Sequence, residues 1–437
     1  MRRWIHALLV TAACVALVAP ALAQSGDAGG GDDKGGNTAE EEANRPRGGL
    51  PGPQVAKKLQ EVQLAMTDER MADARKLLDE LARRRGLKEI EQATIYMFYG
   101  YVANGLEDYP KAIAYFEKAI SLDVLTWSQQ YNLEWSVGQL YAMQGQYEKA
   151  LEVQREWLRK ASRPNAPVRP QPHNFYVFAL SYMQTDPPNP KAARRPAEIA
   201  VEMSDEPQEN WLRLLGQIYY MLGDYTKMAE VLEQLLVRFN KPEYYTQLSG
   251  AYAEAGKEKK ALGVLQLAYT SGLLQKDREV VQLARLYLFH EMPERAGAVL
   301  EKAIADGILE RDKTTNELLS EAYIFSREPH KAFEPLAAAA REASDGELYM
   351  RLGQIMINTQ VWPQADDALG KALAKGGLRD PGSAHILRGI ARMNQNHWND
   401  ALASFRAATG FDTSKQDAEA YIKFLDYRRR QVEALQG

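Results

Sequence analysis

The chain has 437 residues, 45% of them hydrophobic and 26% charged, with a formal net charge of −4 and a single cysteine. That balance lacks the basic footprint of a nucleic-acid-binding protein, and one cysteine excludes a disulfide framework. The length accommodates two or three ordinary domains or one elongated array.

The first predicted element is an export signal. Arg2 and Arg3 precede an apolar run from Trp4 to Val18, followed by Ala21-Leu22-Ala23 before Gln24. A basic start, an apolar core and small residues at the cleavage positions predict a signal peptide over 1–23, cut after Ala23. Cys14 lies inside the apolar run rather than after it, which argues against lipid attachment. Loss of Arg2 and Arg3 lowers the basic count from 54 to 52 against 58 acidic residues, a net of −6, and leaves no cysteine. The expectation is an exported, acidic and soluble protein with no stable membrane insertion after cleavage. Residues 24–54, QSGDAGGGDDKGGNTAEEEANRPRGGLPGPQ, are rich in glycine, proline and acidic side chains. They hold too little apolar surface to offset chain entropy and predict a disordered linker.

From residue 55 to 413 the pattern becomes helices in pairs. In the first helix of each pair a small residue precedes an aromatic by three places: Gly138 and Tyr141, Ala179 and Tyr182, Gly216 and Tyr219, Ser249 and Tyr252, Ala284 and Tyr287, Ser320 and Tyr323. Gly353 and Met356 form a weaker copy. A second series opens the contact face of the partner helix: Ala74, Ala112, Ala150, Ala192, Met228, Ala261, Ala296, Ala332, Ala365 and Ala401, at intervals of 33–42 residues. One turn beyond, a large apolar side chain is the rule, as at Phe116, Leu265, Leu300, Leu336, Leu369 and Phe405. Small side chains let antiparallel helices approach, and the large ones fill the space beside them. The stretch AYTSGLLQKD at Ala268 returns as AIADGILERD at Ala303, with a third echo at Ala372. Gly272, Gly307 and Gly376 are predicted to end the second helix in a left-handed conformation, and Asp277 and Asp312 to start the next one. Proline-rich breaks fall at 163–172 and 186–196, the second inside a pair. Residues 414–437 predict a polar-backed capping helix with Tyr421, Leu425 and Val432 on one face.

Period and residue types match the tetratricopeptide repeat. The expected fold is an all-α, right-handed superhelical solenoid of about ten such helix pairs, closed by the capping helix.

No catalytic constellation emerges. HEMPE at His290 lacks the second histidine of a zinc helix, and Pro293 would break that helix. GAYAEAGKE at Gly250 has the wrong glycine spacing for a phosphate loop. Paired carboxylates such as Asp366–Asp367 read as solvated faces. Neither an enzyme activity, a metal site nor a cofactor is expected.

Three stretches carry a narrower likeness: ENWLRLLGQIYYMLGDYTKMAEVLEQLL from Glu209, YYTQLSGAYAEAGKEKKALGVLQLAYTSGLL from Tyr244 and QLARLYLFHEMPERAGAVLEKAIADGI from Gln282. They resemble the periplasmic tetratricopeptide proteins encoded beside TonB, ExbB and ExbD in some Gram-negative bacteria. The resemblance implies a periplasmic scaffold, accessory to TonB-dependent outer-membrane uptake, with an envelope protein as partner and a TonB-system component as first candidate. It supplies no catalytic residues.

In stacked helix pairs the first helices line the concave surface. The residues flanking the small–aromatic pair on its open side are therefore the binding candidates: Trp135, Gln139 and Met143; Arg213, Gln217 and Met221; Arg285 and Phe289; Glu317, Glu321 and Phe325; Met350, Gln354 and Ile357. Trp135 is expected as an apolar anchor, with Arg213 and Arg285 as donors to acidic or backbone groups. Two alternatives share this fold: a periplasmic scaffold for envelope assembly or secretion, and a solenoid holding a small ligand in its concave face.

Overall fold

The computed structural model describes residues 43–436. The expected signal peptide, the linker up to residue 42 and the side chain of Val432 lie outside the described residues.

Among the described residues there are twenty-one helices from Pro53 onward and no strand. They fall into two compact units, divided after Phe239. The first holds five pairs: α1 (Pro53–Thr67) with α2 (Met71–Ala82), α3 (Glu89–Gly105) with α4 (Tyr109–Ser121), α5 (Trp127–Met143) with α6 (Tyr147–Ala161), α7 (Pro172–Met183) with α8 (Pro190–Glu202), and α9 (Glu209–Leu222) with α10 (Tyr225–Phe239). The second holds five more: α11 (Pro242–Glu254) with α12 (Glu258–Thr270), α13 (Asp277–Phe289) with α14 (Pro293–Ala305), α15 (Lys313–Phe325) with α16 (Pro329–Glu342), α17 (Glu347–Asn358) with α18 (Trp362–Lys375), and α19 (Pro381–Asn394) with α20 (Trp398–Ala408). The capping helix α21 spans Lys415–Gln436 and buries Leu425 against the last pair. Within each unit a first helix packs on its own partner and on the second helix of the pair before it.

The small residues sit at these crossings as their size requires. Ala179, Ser249, Ala284 and Ser320 are fully buried, and a Cβ on Gly100, Gly353 or Gly389 would come within 2.3–2.5 Å of Phe116, Leu369 or Phe405. The alanine series holds at eight positions and shifts at two. Ala193 and Ala229 are the buried residues, not Ala192 and Met228. Ala193 stands four residues after Asn189, which ends the proline-rich turn and caps α8; nothing in the structure explains the shift to Ala229.

The turn inside a pair follows one geometry in nine of the ten pairs. A residue with φ between 57° and 75° stands at Glu69, Glu107, Gly145, Gly223, Gly256, Glu291, Arg327, Gln360 and Asn396. The next amide then reaches back to a first-helix carbonyl, as in Asp224 N to Tyr219 O at 2.9 Å and Glu328 N to Tyr323 O at 2.9 Å. This is the closure that satisfies the last carbonyls of a helix. Between pairs, Gly272 and Gly307 take φ of 70° and 74° as expected. Gly376 has φ 74° with ψ −167°, an extended positive-φ form rather than the left-handed one. Asp312 caps α15 through Thr315 N at 2.7 Å, while Asp277 is the first residue of α13, behind Lys276.

The tyrosines reach further than one repeat. Tyr99 donates to Asp79 of α2 at 2.6 Å, Tyr219 to Glu198 of α8 at 2.9 Å, and Tyr323 to Glu301 of α14. Each ties a first helix to the second helix of the pair before it. Burial, then the adjoining carboxylate, pushes all three hydroxyls well above the usual tyrosine range.

The end of the expected linker is seated on the first unit. Arg47 lays its guanidinium 3.8 Å from the Trp127 ring and donates to Leu125 O at 2.6 Å, to Asp123 Oδ1 at 3.0 Å and to Gln130 Oε1. Gly48 N donates to Val124 O at 3.0 Å, in a space where a Cβ would lie 2.6 Å from Val124 Cβ. Gly52 N donates to Glu91 Oε1 at 2.9 Å. Cation–π contact and directed hydrogen bonds supply here what apolar burial does not.

Candidate functional site

The structure sorts the predicted binding residues into three groups. On α5 the expected anchor is a core residue. Trp135 is 7% exposed, its ring 4.8 Å from that of Trp157 on α6, whose indole donates to Tyr131 O at 2.7 Å. The helix period places Trp135 on the open-side stripe, but the tryptophan opposite it in α6 covers that position. Gln139 and Met143 are half-buried, and Met143 packs on the neighbouring core. On α9, Arg213, Gln217 and Met221 are exposed. On α17, Met350 and Ile357 are half-buried, Ile357 against its own pair, and Gln354 is exposed.

The third group converges. Arg285 and Phe289 on α13 face Glu317, Glu321 and Phe325 on α15 across a depression of about 470 Å³, which Leu288, Thr314 and Leu318 complete. Those last three were missed because they lie beside the stripe rather than on it. Phe289 is 64% exposed and Phe325 57%.

Local sequence explains why these rings project. α13 and α15 bury Leu283, Ala284 and Tyr287, and Leu318, Leu319 and Ala322, against their neighbours. Positions one turn beyond the small residue and at the helix end are left on the free side. Phe289 and Phe325 are each the last residue of their helix. The charged rim is loosely occupied. Glu317 lies 3.7 Å from Lys313 Nζ on its own helix, and among the described residues neither Arg285 nor Glu321 has an ion-pair partner. The depression offers apolar contact plus two kinds of charge, and no nucleophile–base pair lines it.

No group of three or more histidine, cysteine or carboxylate side chains among the described residues could hold a metal. His290 lies in the turn between α13 and α14, and the phosphate-loop lookalike spans α11, a turn and the start of α12. No described helix is long and apolar enough to cross a membrane.

Residues 59–123 match the family model of the tetratricopeptide repeat. That segment covers most of α1 through α4, and every later pair but α7–α8 repeats the left-handed turn seen within it. No curated protein sequence matches the chain. Among solved structures, the chain is similar to a tetratricopeptide repeat protein from Parabacteroides merdae at 16% identity, covering 62% of this chain and 99% of that one with a TM-score of 0.38. It is similar to the C-terminal part of a tetratricopeptide-containing protein from Cytophaga hutchinsonii at 14% identity, covering 64% and 94% with a TM-score of 0.39. It is also similar to YrrB, described as a tetratricopeptide protein with an unusual peptide-binding site, at 18% identity over 45% and 99% with a TM-score of 0.36.

Proposed function

We propose that this chain is an exported helical-repeat scaffold that binds segments of other proteins on the face built by its first helices, working in the cell envelope as an accessory of TonB-dependent uptake. The observation that carries the binding reading is the depression between α13 and α15. Two phenylalanines are held more than half in water at the ends of α13 and α15 there, and grouped exposed apolar side chains mark contact surfaces. A partner's apolar side chain between them would remove that surface from water at roughly 25 cal/mol per Å². The depression opens to solvent, which suits an extended or helical segment better than an enclosed small molecule. Export rests on the Arg2-to-Ala23 pattern, and the TonB link on the stretches beginning at Glu209, Tyr244 and Gln282.

A photo-reactive residue at position 325, activated in intact cells, tests the partner. Recovery of TonB, ExbB or ExbD supports the accessory role, whereas recovery of a different envelope protein removes the TonB link and keeps the scaffold. Cross-links from position 221 but none from 289 or 325 would move the binding face to α9. N-terminal sequencing tests signal cleavage: the mature chain should begin at Gln24, and retention of residues 1–23 in the membrane fraction would overturn the soluble-periplasm assignment.

A further inference from the structure

We propose that the depression between α13 and α15 selects a cationic segment, one that places an apolar side chain between Phe289 and Phe325 and a lysine or arginine against Glu317 and Glu321. This deepens the protein-binding reading and rests on it.

Glu317 and Glu321 are four residues apart on α15 and line the same depression. That spacing sets their Cβ atoms about 5–6 Å apart on one face, so one ammonium or guanidinium can meet both. Glu321 is uncommitted, and Glu317 is only partly engaged. Glu317 has only the long contact to Lys313 on its own exposed surface, and Glu321 has no cation beside it among the described residues. Across the depression stands a single Arg285, not ion-paired with either of them. The lining therefore carries two carboxylates against one guanidinium, and the chain's own net charge of −4 has the same sign. An acidic segment would meet like charge at Glu317 and Glu321, which suppresses wrong partners. A purely apolar one would strip water from both carboxylates without replacing it. A basic residue removes both objections. Arg285, with several donors in a fixed fork, is then left for backbone carbonyls of the bound segment.

The test uses the full chain and three short fluorescent peptides of one leucine–serine frame, differing only in two central residues: lysine, glutamine or glutamate. Anisotropy titration at low salt should show the lysine peptide binding about tenfold or more tighter than the glutamate peptide, with the gap closing as salt rises. The double variant Glu317→Gln, Glu321→Gln should erase the gap while the glutamine peptide binds as before. Phe325→Ala should weaken all three. Equal binding of the three peptides, or preference for glutamate, overturns the charge assignment while protein binding stands. A lysine preference that survives the double variant or Phe325→Ala puts the cationic site elsewhere and overturns the proposal. Failure of all three to bind also overturns it, and cross-linking from position 325 then judges the protein-binding reading independently.

Discussion

Replacing Gln154 by leucine should stabilise the first unit. Gln154 lies in the crossing of α5 and α6 with no exposed surface, and neither its Nε2 nor its Oε1 has a hydrogen-bond partner among the described residues. The same register position in other pairs carries Phe116, Leu265, Leu300, Leu336, Leu369 and Phe405, each 0–1% exposed. Leaving a buried polar group unsatisfied costs about 1–3 kcal/mol, and Gln154 presents two such atoms. Against this stands the fit of a γ-branched side chain where a Cβ on Gly138 would already lie 3.0 Å from Gln154 Cγ, a misfit that can cost about 1–3 kcal/mol. The crossing tolerates no branch at Gly138 itself, but leucine keeps Cγ in place and needs only small rotamer adjustment, so the net expected gain is about 1–3 kcal/mol. Urea unfolding read by tryptophan fluorescence fits the site, since Trp135 and Trp157 lie on the same two helices, their rings 4.8 Å apart. Hydrogen exchange in α5 and α6 should slow first, because repeat arrays lose neighbours locally before globally. Leu265→Gln is the opposite-sign control. A lower urea midpoint for Gln154→Leu, or unchanged exchange in α5 and α6, would refute the reasoning and mean that solvent satisfies the amide.

Trp135→Ala should cost about 3–5 kcal/mol as a buried aromatic truncation, read by thermal unfolding; loss of partner capture with stability intact would restore it as a surface anchor. Tyr219→Phe should cost about 0.5–1.5 kcal/mol for the bond to Glu198, read by urea midpoint. Tyrosine in the unfolded chain ionises near pH 10, while Tyr99, Tyr219 and Tyr323 hold their protons to higher pH when folded. The contribution of these tyrosines is therefore fully present below about pH 10 and falls as pH rises beyond it, with a shallower fall in the Tyr219→Phe variant; a flat profile to strongly alkaline pH would count against the tyrosine–carboxylate bonds. Gly100→Ala should cost about 1–3 kcal/mol, since its Cβ would sit 2.3 Å from the ring of Phe116; unchanged thermal stability would show that the ring can move aside.

Much of the fold could be read from the chain, because the constraint at a helix crossing is size, and size is written in residue type. Ser249, Ala284 and Ser320 had to be small, and the structure buries them. The turns inside pairs were legible only at Gly145, Gly223 and Gly256. At Glu69, Arg327 or Gln360 the same left-handed backbone is held by a charged or polar residue, and nothing in residue type announces it. The site divides the same way. Helical period says which face a side chain takes, so Arg285, Phe289, Glu321 and Phe325 were found together. It does not say whether another helix covers that face, and Trp135 was misplaced because Trp157 meets it from α6.

The seat of Arg47 sets a practical limit on trimming the protein. The helical pattern begins at Pro53, and a truncation designed from that pattern would cut there. It would bare the face of Trp127 that the guanidinium covers, leave Val124 O without the amide of Gly48, and free one oxygen of Glu91. A shortened version made for crystallisation or display should therefore start no later than Ala43, itself buried, with fusion partners joined upstream of that point.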